Sequence, residues 1–219
     1  MSNRHAPPPP CPRVLLAIVA VVSIVACATD DAAARRDSIV AASEAAYIAS
    51  HRASAPPDTA DTTARGPVAL TDGNILARIA QDDRLEVQVA GLATAKITSP
   101  ALKDFARQIR DNHSAGESDA RRLSQKLKIP EKPAAADTTK LHQQNLVALF
   151  TRLAKGKTFD TTYVRHLVDG HTTMLREMKV LEAKATHPEV KSLIGSATPE
   201  VQRHLTRARE IGKALMATK

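Results

Sequence analysis

The sequence predicts an all-α protein: a bundle of four long helices behind an N-terminal export segment and a low-complexity tether. Three observations predict it. From Thr71 onward, apolar residues recur in alternating three- and four-residue steps, the period of a packed helix seam. Prolines and a glycine divide that pattern into four long stretches and one short one. The composition is 43% hydrophobic and only 2% aromatic, which suits a core of Ala, Leu, Val and Ile packed between helices.

Residues 1–26 read as a signal peptide. Arg4 and Arg13 supply early positive charge, and Val14 to Ala26 is apolar apart from Ser23. Thirteen residues rise only about 20 Å as a helix, too short for a bilayer core of about 30 Å. The segment ends Ile24-Val25-Ala26-Cys27, which resembles a bacterial lipobox, so Cys27 is the expected lipidation site and the route to the membrane. Ala28 and Thr29 follow, with no Asp directly after the cysteine. That favours outer-membrane attachment facing the periplasm over inner-membrane retention. Cys11 lies in the discarded peptide, so the mature domain has no free thiol, no disulfide and no cysteine-based metal site. The chain carries +8, and loss of Arg4 and Arg13 takes this to +6. The expected compartment, the absence of Trp and the scarcity of aromatic residues argue against a nucleic-acid partner. The basic balance reads as a solvated surface.

Residues 27–70 are rich in Ala, Thr, Asp and Pro, with too little apolar surface to offset their ordering entropy, and read as a tether. The bundle is expected over 71–216. Thr71-Asp72 opens the first helix as its N-cap region. Its stripe runs Ile75, Ile79, Asp82, Glu86, Val89, Ala93, Ile97, and Ser99-Pro100 stops and restarts the chain. The second stripe is Leu102, Phe105, Ile109, His113, Gly116, Ala120, Leu123, Leu127, ended by Pro130 and Pro133. A connection from about 129 to 157 holds a short amphipathic piece (Leu141, Leu149, Phe150, Leu153) and breaks at Gly156. The third stripe is Asp160, Val164, Leu167, His171, Met174, Met178, Leu181, Ala185. Pro188 separates it from Val190, Ile194, Ala197, Val201, His204, Ala208, Ile211 and Leu215. Pro199 is expected to start, kink or reset this last helix. Four long helices with two tight turns and one long middle connection resemble a ferritin-like bundle, in which the crossover makes the second and third helices parallel. A simple up-down bundle is the alternative.

Each long stripe carries one metal-competent residue where an apolar residue is expected: Glu86, His113, His171 and His204. A buried ionisable group is costly unless paired, hydrogen-bonded or ligated. Counted from the first turn, Glu86 and His113 lie roughly 18 and 22 Å away; counted from the second, His171 and His204 each lie roughly 25 Å away. Both pairs therefore fall near mid-bundle. Three imidazoles and a carboxylate suit zinc, copper or iron as the divalent ion. The other reading is a structural polar layer, in which Glu86 accepts hydrogen bonds from imidazoles and sets helix register. Asp82, one turn before Glu86, is either a supporting residue of that site or a rim residue, and Asn112 beside His113 is a second candidate for holding a ligand in place. The di-iron pattern Glu-x-x-His is absent, because Arg110, Val168 and Val201 stand three residues before the histidines. Glu117, His142, His166 and His187 read as solvated. Tyr163 reads as packing and hydrogen-bonding at a helix start, and Met174 and Met178 as core filler. There is no glycine-rich phosphate loop, no Gly-x-Ser-x-Gly and no His-Glu-x-x-His to support a nucleotide enzyme or a hydrolase. The run Arg121, Arg122, Lys126, Lys128 reads as a solvated face, with membrane-surface binding as the alternative.

Several segments are similar to one bacterial family. They are Ile79 to Ala93 around Glu86-Val87, Leu102-Lys103-Asp104-Phe105-Ala106, Asn112-His113-Ser114, Phe159-Asp160-Thr161-Thr162-Tyr163 followed eight residues later by His171, and Pro199 to His204-Leu205. Over roughly 71–215 the chain resembles the secreted ferritin-like proteins grouped as domain-of-unknown-function family 4142. That family usually has Asp-His-Thr where this chain has Asn112-His113-Ser114, so a carboxylate next to the histidine is missing here. The resemblance implies the bundle, an envelope location and a lipoprotein signal, and implies no established activity. Two functions remain open: a tethered binding or structural module, and a metal carrier or metal-dependent enzyme.

Overall fold

A computed structural model describes residues 70–134 and 139–217 of the chain. The expected signal peptide, Cys27 and the expected tether up to residue 69 lie outside the described residues. The described residues form five helices and no strand: α1 (Asp72–Lys96), α2 (Pro100–Leu127), α3 (Thr139–Arg152), α4 (Lys157–Lys184) and α5 (Pro188–Ala217).

Local sequence explains the boundaries. Thr71 and Asn74 form a reciprocal capping box, the Thr71 hydroxyl accepting from the Asn74 backbone while the Asn74 side chain accepts from the Thr71 backbone. Ser99 caps α2, and Pro100 occupies the first turn, where its missing N–H is no loss. Lys128 ends α2 in the left-handed conformation, at φ 55°. Gly156 precedes α4 with φ 144°, a backbone geometry that side chains disfavour, so glycine is what allows the chain to turn from α3 into α4 there. Contrary to the expected start or reset at Pro199, α5 runs through that residue as one helix.

α1 and α2 form one hairpin, α4 and α5 the other, and α3 lies against α1. Two aspartates join the hairpins. Asp160, at the start of α4, accepts from the Thr98 backbone at 3.0 Å, the Thr98 hydroxyl at 2.6 Å and the Ser99 backbone at 2.9 Å. Asp72, at the start of α1, accepts from the Thr186 backbone at 2.9 Å, the Thr186 hydroxyl at 2.5 Å and the His187 backbone at 3.0 Å. Each therefore holds the turn of the opposite hairpin. Thr98 stands 26 residues after Asp72, and Thr186 stands 26 residues after Asp160, so the two hairpins use the same device in the same register.

These contacts set the helix directions. The start of α1 meets the end of α4, and the end of α1 meets the start of α4, so the two run antiparallel. Lys126, at the end of α2, pairs with Glu189 at the start of α5, so these are antiparallel too. It follows that α2 and α4 run parallel, and the 129–156 connection has to cross the length of the bundle.

α3 is bound by its C-terminal end. Lys96 Nζ donates to the carbonyls of Phe150, Thr151 and Leu153 at 2.6–2.9 Å, supplying a cation where the helix dipole is negative. Leu146, Leu149, Phe150 and Leu153 are buried beneath it. One end of the core is aliphatic, with Ile75, Leu76, Met178, Leu181, Val190 and Ile194. The other is aromatic: Phe150, Phe159 and Tyr163 pack with ring centroids 5.6–6.4 Å apart. By their places along the helices, the polar residues of the stripes lie between these two apolar ends.

Candidate metal centre

All four polar stripe residues are interior. Glu86 on α1 is 3% exposed, His113 on α2 4%, His171 on α4 0% and His204 on α5 2%. The three imidazoles form a nearly equilateral triangle, with ring centroids 5.6 Å (113–171), 5.3 Å (113–204) and 5.3 Å (171–204) apart. One ring nitrogen from each lies within 4.8 Å of the others. Glu86 is not in that tight group. Its Oε1 stands 3.4 Å from Nε2 of His166 on α4, and its Oε2 has no hydrogen-bond partner.

His166 corrects the sequence reading, which placed it on the surface: it is 2% exposed. Helical spacing alone puts it beside the seam, but α3 widens the covered face of α4, and the Phe150 ring lies 5.5 Å from the His166 ring. His142 and His187 are likewise half-buried, not solvated. Glu117 is half-buried and paired with Arg84 and Arg121 at 2.9 and 2.8 Å. Tyr163 packs as expected, but its buried hydroxyl has no hydrogen-bond partner.

Each histidine of the triangle uses one nitrogen on an outer partner. His113 Nδ1 is 2.7 Å from Asp83 Oδ1. His171 Nδ1 is 2.9 Å from the Leu167 carbonyl. His204 Nε2 is 3.0 Å from Glu200 Oε1 and 3.1 Å from Asn112 Nδ2. The other nitrogens, His113 Nε2, His171 Nε2 and His204 Nδ1, are buried and have no partner. Asn112 stands against a member of the triangle, His204. Asp82 does not: Arg78 Nε binds it at 2.7 Å and Arg78 also binds Glu177 at 2.8 Å, making a separate ion cluster, in which burial pushes the Asp82 carboxyl up to about 7.

Asp83 and Glu200 escaped the sequence reading. Gly116 held a signal for the first. A Cβ there would stand 2.5 Å from Asp83 Oδ2, so glycine on the α2 seam leaves room for a carboxylate from α1. The second was available in Glu200-x-x-x-His204, since residues four apart share a helix face. The Glu-x-x-His spacing that was tested looked one position too near.

Burial governs protonation. It drives His171 down to about 3 and His204 down to about 4, so both are neutral near pH 7 with lone pairs available. His113 is pushed down by burial, but its bond to Asp83 and the charge of Glu86 outweigh this and raise it. Burial also raises Asp83, against the lowering effect of its bond to His113. Burial pushes Glu86 up, yet His166, then His171 and His113, outweigh it and hold the carboxylate well below its usual range. The interior thus combines a carboxylate, Glu86, with two neutral nitrogen donors, His171 and His204. Zinc–nitrogen bonds of about 2.0–2.1 Å place tetrahedral donors roughly 3.4 Å apart, a modest contraction of the observed triangle.

The fold and site define a class first: an all-helical bundle whose polar interior is built from histidines on three different helices. The family model described as Domain of unknown function (DUF4142) matches residues 55–211, and the chain belongs to that family. No curated protein and no solved structure matches it.

Proposed function

We propose that this protein binds one divalent metal ion through His113, His171 and His204. One observation carries the reading: one ring nitrogen from each of three helices lies within 4.8 Å of the others, and each of these three rings keeps one buried nitrogen without a hydrogen-bond partner. Such groups are costly when unsatisfied, by roughly 1–3 kcal/mol each, and a cation would satisfy all three at once. Imidazole nitrogens suit zinc, copper or iron(II), and the carboxylate of Glu86 offsets the added charge. The parallel run of α2 and α4 and the long crossover support a ferritin-like bundle as the finer description of the fold. The lipobox at Cys27 supports a lipid-anchored envelope protein facing the periplasm.

A second reading has its own support. The Glu86–His166 and Asp83–His113 pairs partly satisfy the layer from within, as a tethered structural or binding module without metal would require. Elemental analysis of protein purified without a histidine tag, followed by Zn²⁺ titration, separates the two. About one metal ion per chain is expected. Saturation at about 100 times Kd should raise stability by about 2.7 kcal/mol. Protein that is metal-free as purified and remains so after titration with zinc, copper and iron rejects the metal reading.

A further inference from the structure

We infer that Asp83, the Leu167 carbonyl and Glu200 are positioning groups that fix three imidazole tautomers: Nδ1–H on His113, Nδ1–H on His171 and Nε2–H on His204. The lone pairs then left inside are Nε2, Nε2 and Nδ1, a mixed donor set ready for a borderline divalent cation such as Zn²⁺, Co²⁺ or Cu²⁺, and unsuited to Mg²⁺ or Ca²⁺. The inference rests on the metal reading for its ligand, but the tautomers are a property of the protein itself.

The outer contacts carry the argument. An imidazole that donates from one nitrogen leaves a lone pair on the other. At His113 the acceptor is a carboxylate oxygen at 2.7 Å, and at His171 it is a helix carbonyl at 2.9 Å, which accepts and cannot donate. The three nitrogens left without partners are the ones this assignment leaves unprotonated. Gly116 is an independent sign that the Asp83 carboxylate occupies a made place, since a Cβ there would stand 2.5 Å from Oδ2.

His204 is the one ring with a choice. Asn112 Nδ2 lies 3.1 Å from His204 Nε2 and 2.5 Å from Glu200 Oε1, while Glu200 Oε1 lies 3.0 Å from the same ring nitrogen. If Nε2 instead accepted from Asn112, the proton would sit on Nδ1, the buried nitrogen that has no partner, and block a ligand there. Asn112 Nδ2 carries two hydrogens and reaches both groups, so the decision falls to Glu200: its carboxylate oxygen, 3.0 Å from the ring nitrogen, can only accept and holds the proton on Nε2. Glu200 thereby sets the ligating form of His204, and Arg203 anchors the carboxylate from the other side. In metalloproteins such outer partners typically change affinity by 10–100-fold.

The test is ¹⁵N-histidine NMR on the complete, metal-free chain at about pH 9, where model imidazoles are neutral. Long-range ¹H–¹⁵N correlations identify the protonated nitrogen of each ring. The result expected is Nδ1–H on His113 and His171 and Nε2–H on His204; any other tautomer on one of these rings overturns the inference, whether or not the chain takes up metal. Zn²⁺ titration of the wild type, Asp83→Asn and Glu200→Gln forms the second arm. A 10–100-fold loss of affinity in each variant, with the bound ¹⁵N signals at Nε2, Nε2 and Nδ1, supports the inference. Unchanged affinity in both variants overturns the positioning role. The expected tautomers in a wild type that takes up no Zn²⁺ would overturn the metal reading alone.

Discussion

Replacing His171 separates two contributions that coincide at one side chain. The ring is wholly buried, so His171→Ala leaves a cavity and should lower metal-free stability by about 2–4 kcal/mol. The same change removes one of three converging nitrogens and should abolish the rise in melting temperature on adding Zn²⁺. Calorimetry with and without Zn²⁺ reads both. His187→Ala provides the comparison: that ring is half-buried, stands in the α4–α5 turn and accepts from the Glu189 backbone at 3.2 Å. The Zn²⁺-dependent rise should survive there.

Helices respond to glycine in opposite ways at two positions. A Cβ on Gly91 of α1 would meet nothing within 4 Å, so Gly91→Ala should stabilise the protein by about 0.5–1 kcal/mol through helix propensity, seen as a higher denaturation midpoint. Gly116→Ala gains the same propensity but forces the end of the Asp83 side chain aside. Stability should change by less than about 1 kcal/mol, while Zn²⁺ affinity falls. The hairpin junctions make a pH-dependent prediction. Burial pushes the Asp72 carboxyl up, but the hydrogen bonds from Thr186 and His187 outweigh it and hold it below its ordinary value near 3.8. A folded pKa below the unfolded one means a contribution fully present above the unfolded value and lost as pH falls through the folded one. Asp72→Asn should therefore cost about 1.5–3 kcal/mol at pH 7, with the difference from wild type closing below about pH 4. Urea melts at both pH values check this.

At the scale of the whole molecule, the lipid anchor proposed at Cys27 makes its own prediction. Cys27→Ser should move the protein from the membrane fraction to the soluble fraction on cell fractionation; persistent membrane association would reject the lipobox. Three of the four residues of the basic run are engaged: Arg121 pairs with Glu117, Arg122 with Asp119 and Lys126 with Glu189. This favours a solvated face over a docking surface for anionic lipid, since charges committed to carboxylates attract phosphates weakly.

Helix number and order were legible because most boundaries have a local cause: the Thr71 cap, Pro100, Pro130, Gly156 and Pro188 act on their own few residues, whereas Pro199 lies inside α5 and the αL end at Lys128 appears only in the structure. The burial of Glu86, His113, His171 and His204 was legible because a residue on an apolar stripe shares its fate with the stripe. Other facts depend on which helix face meets which neighbour, and no local pattern carries that. Tertiary structure decided that α2 and α4 run parallel, through the exchanged aspartates Asp72 and Asp160. It buried His166, by laying α3 and Phe150 over it. It set Glu86 against His166 and apart from the triangle, and brought Asp83, Asn112 and Glu200 to the outer nitrogens, across 30 residues of chain for Asp83–His113 and 92 for Asn112–His204. Periodicity tells a side chain to go inside; only the packed rotation of every helix tells it whom to meet.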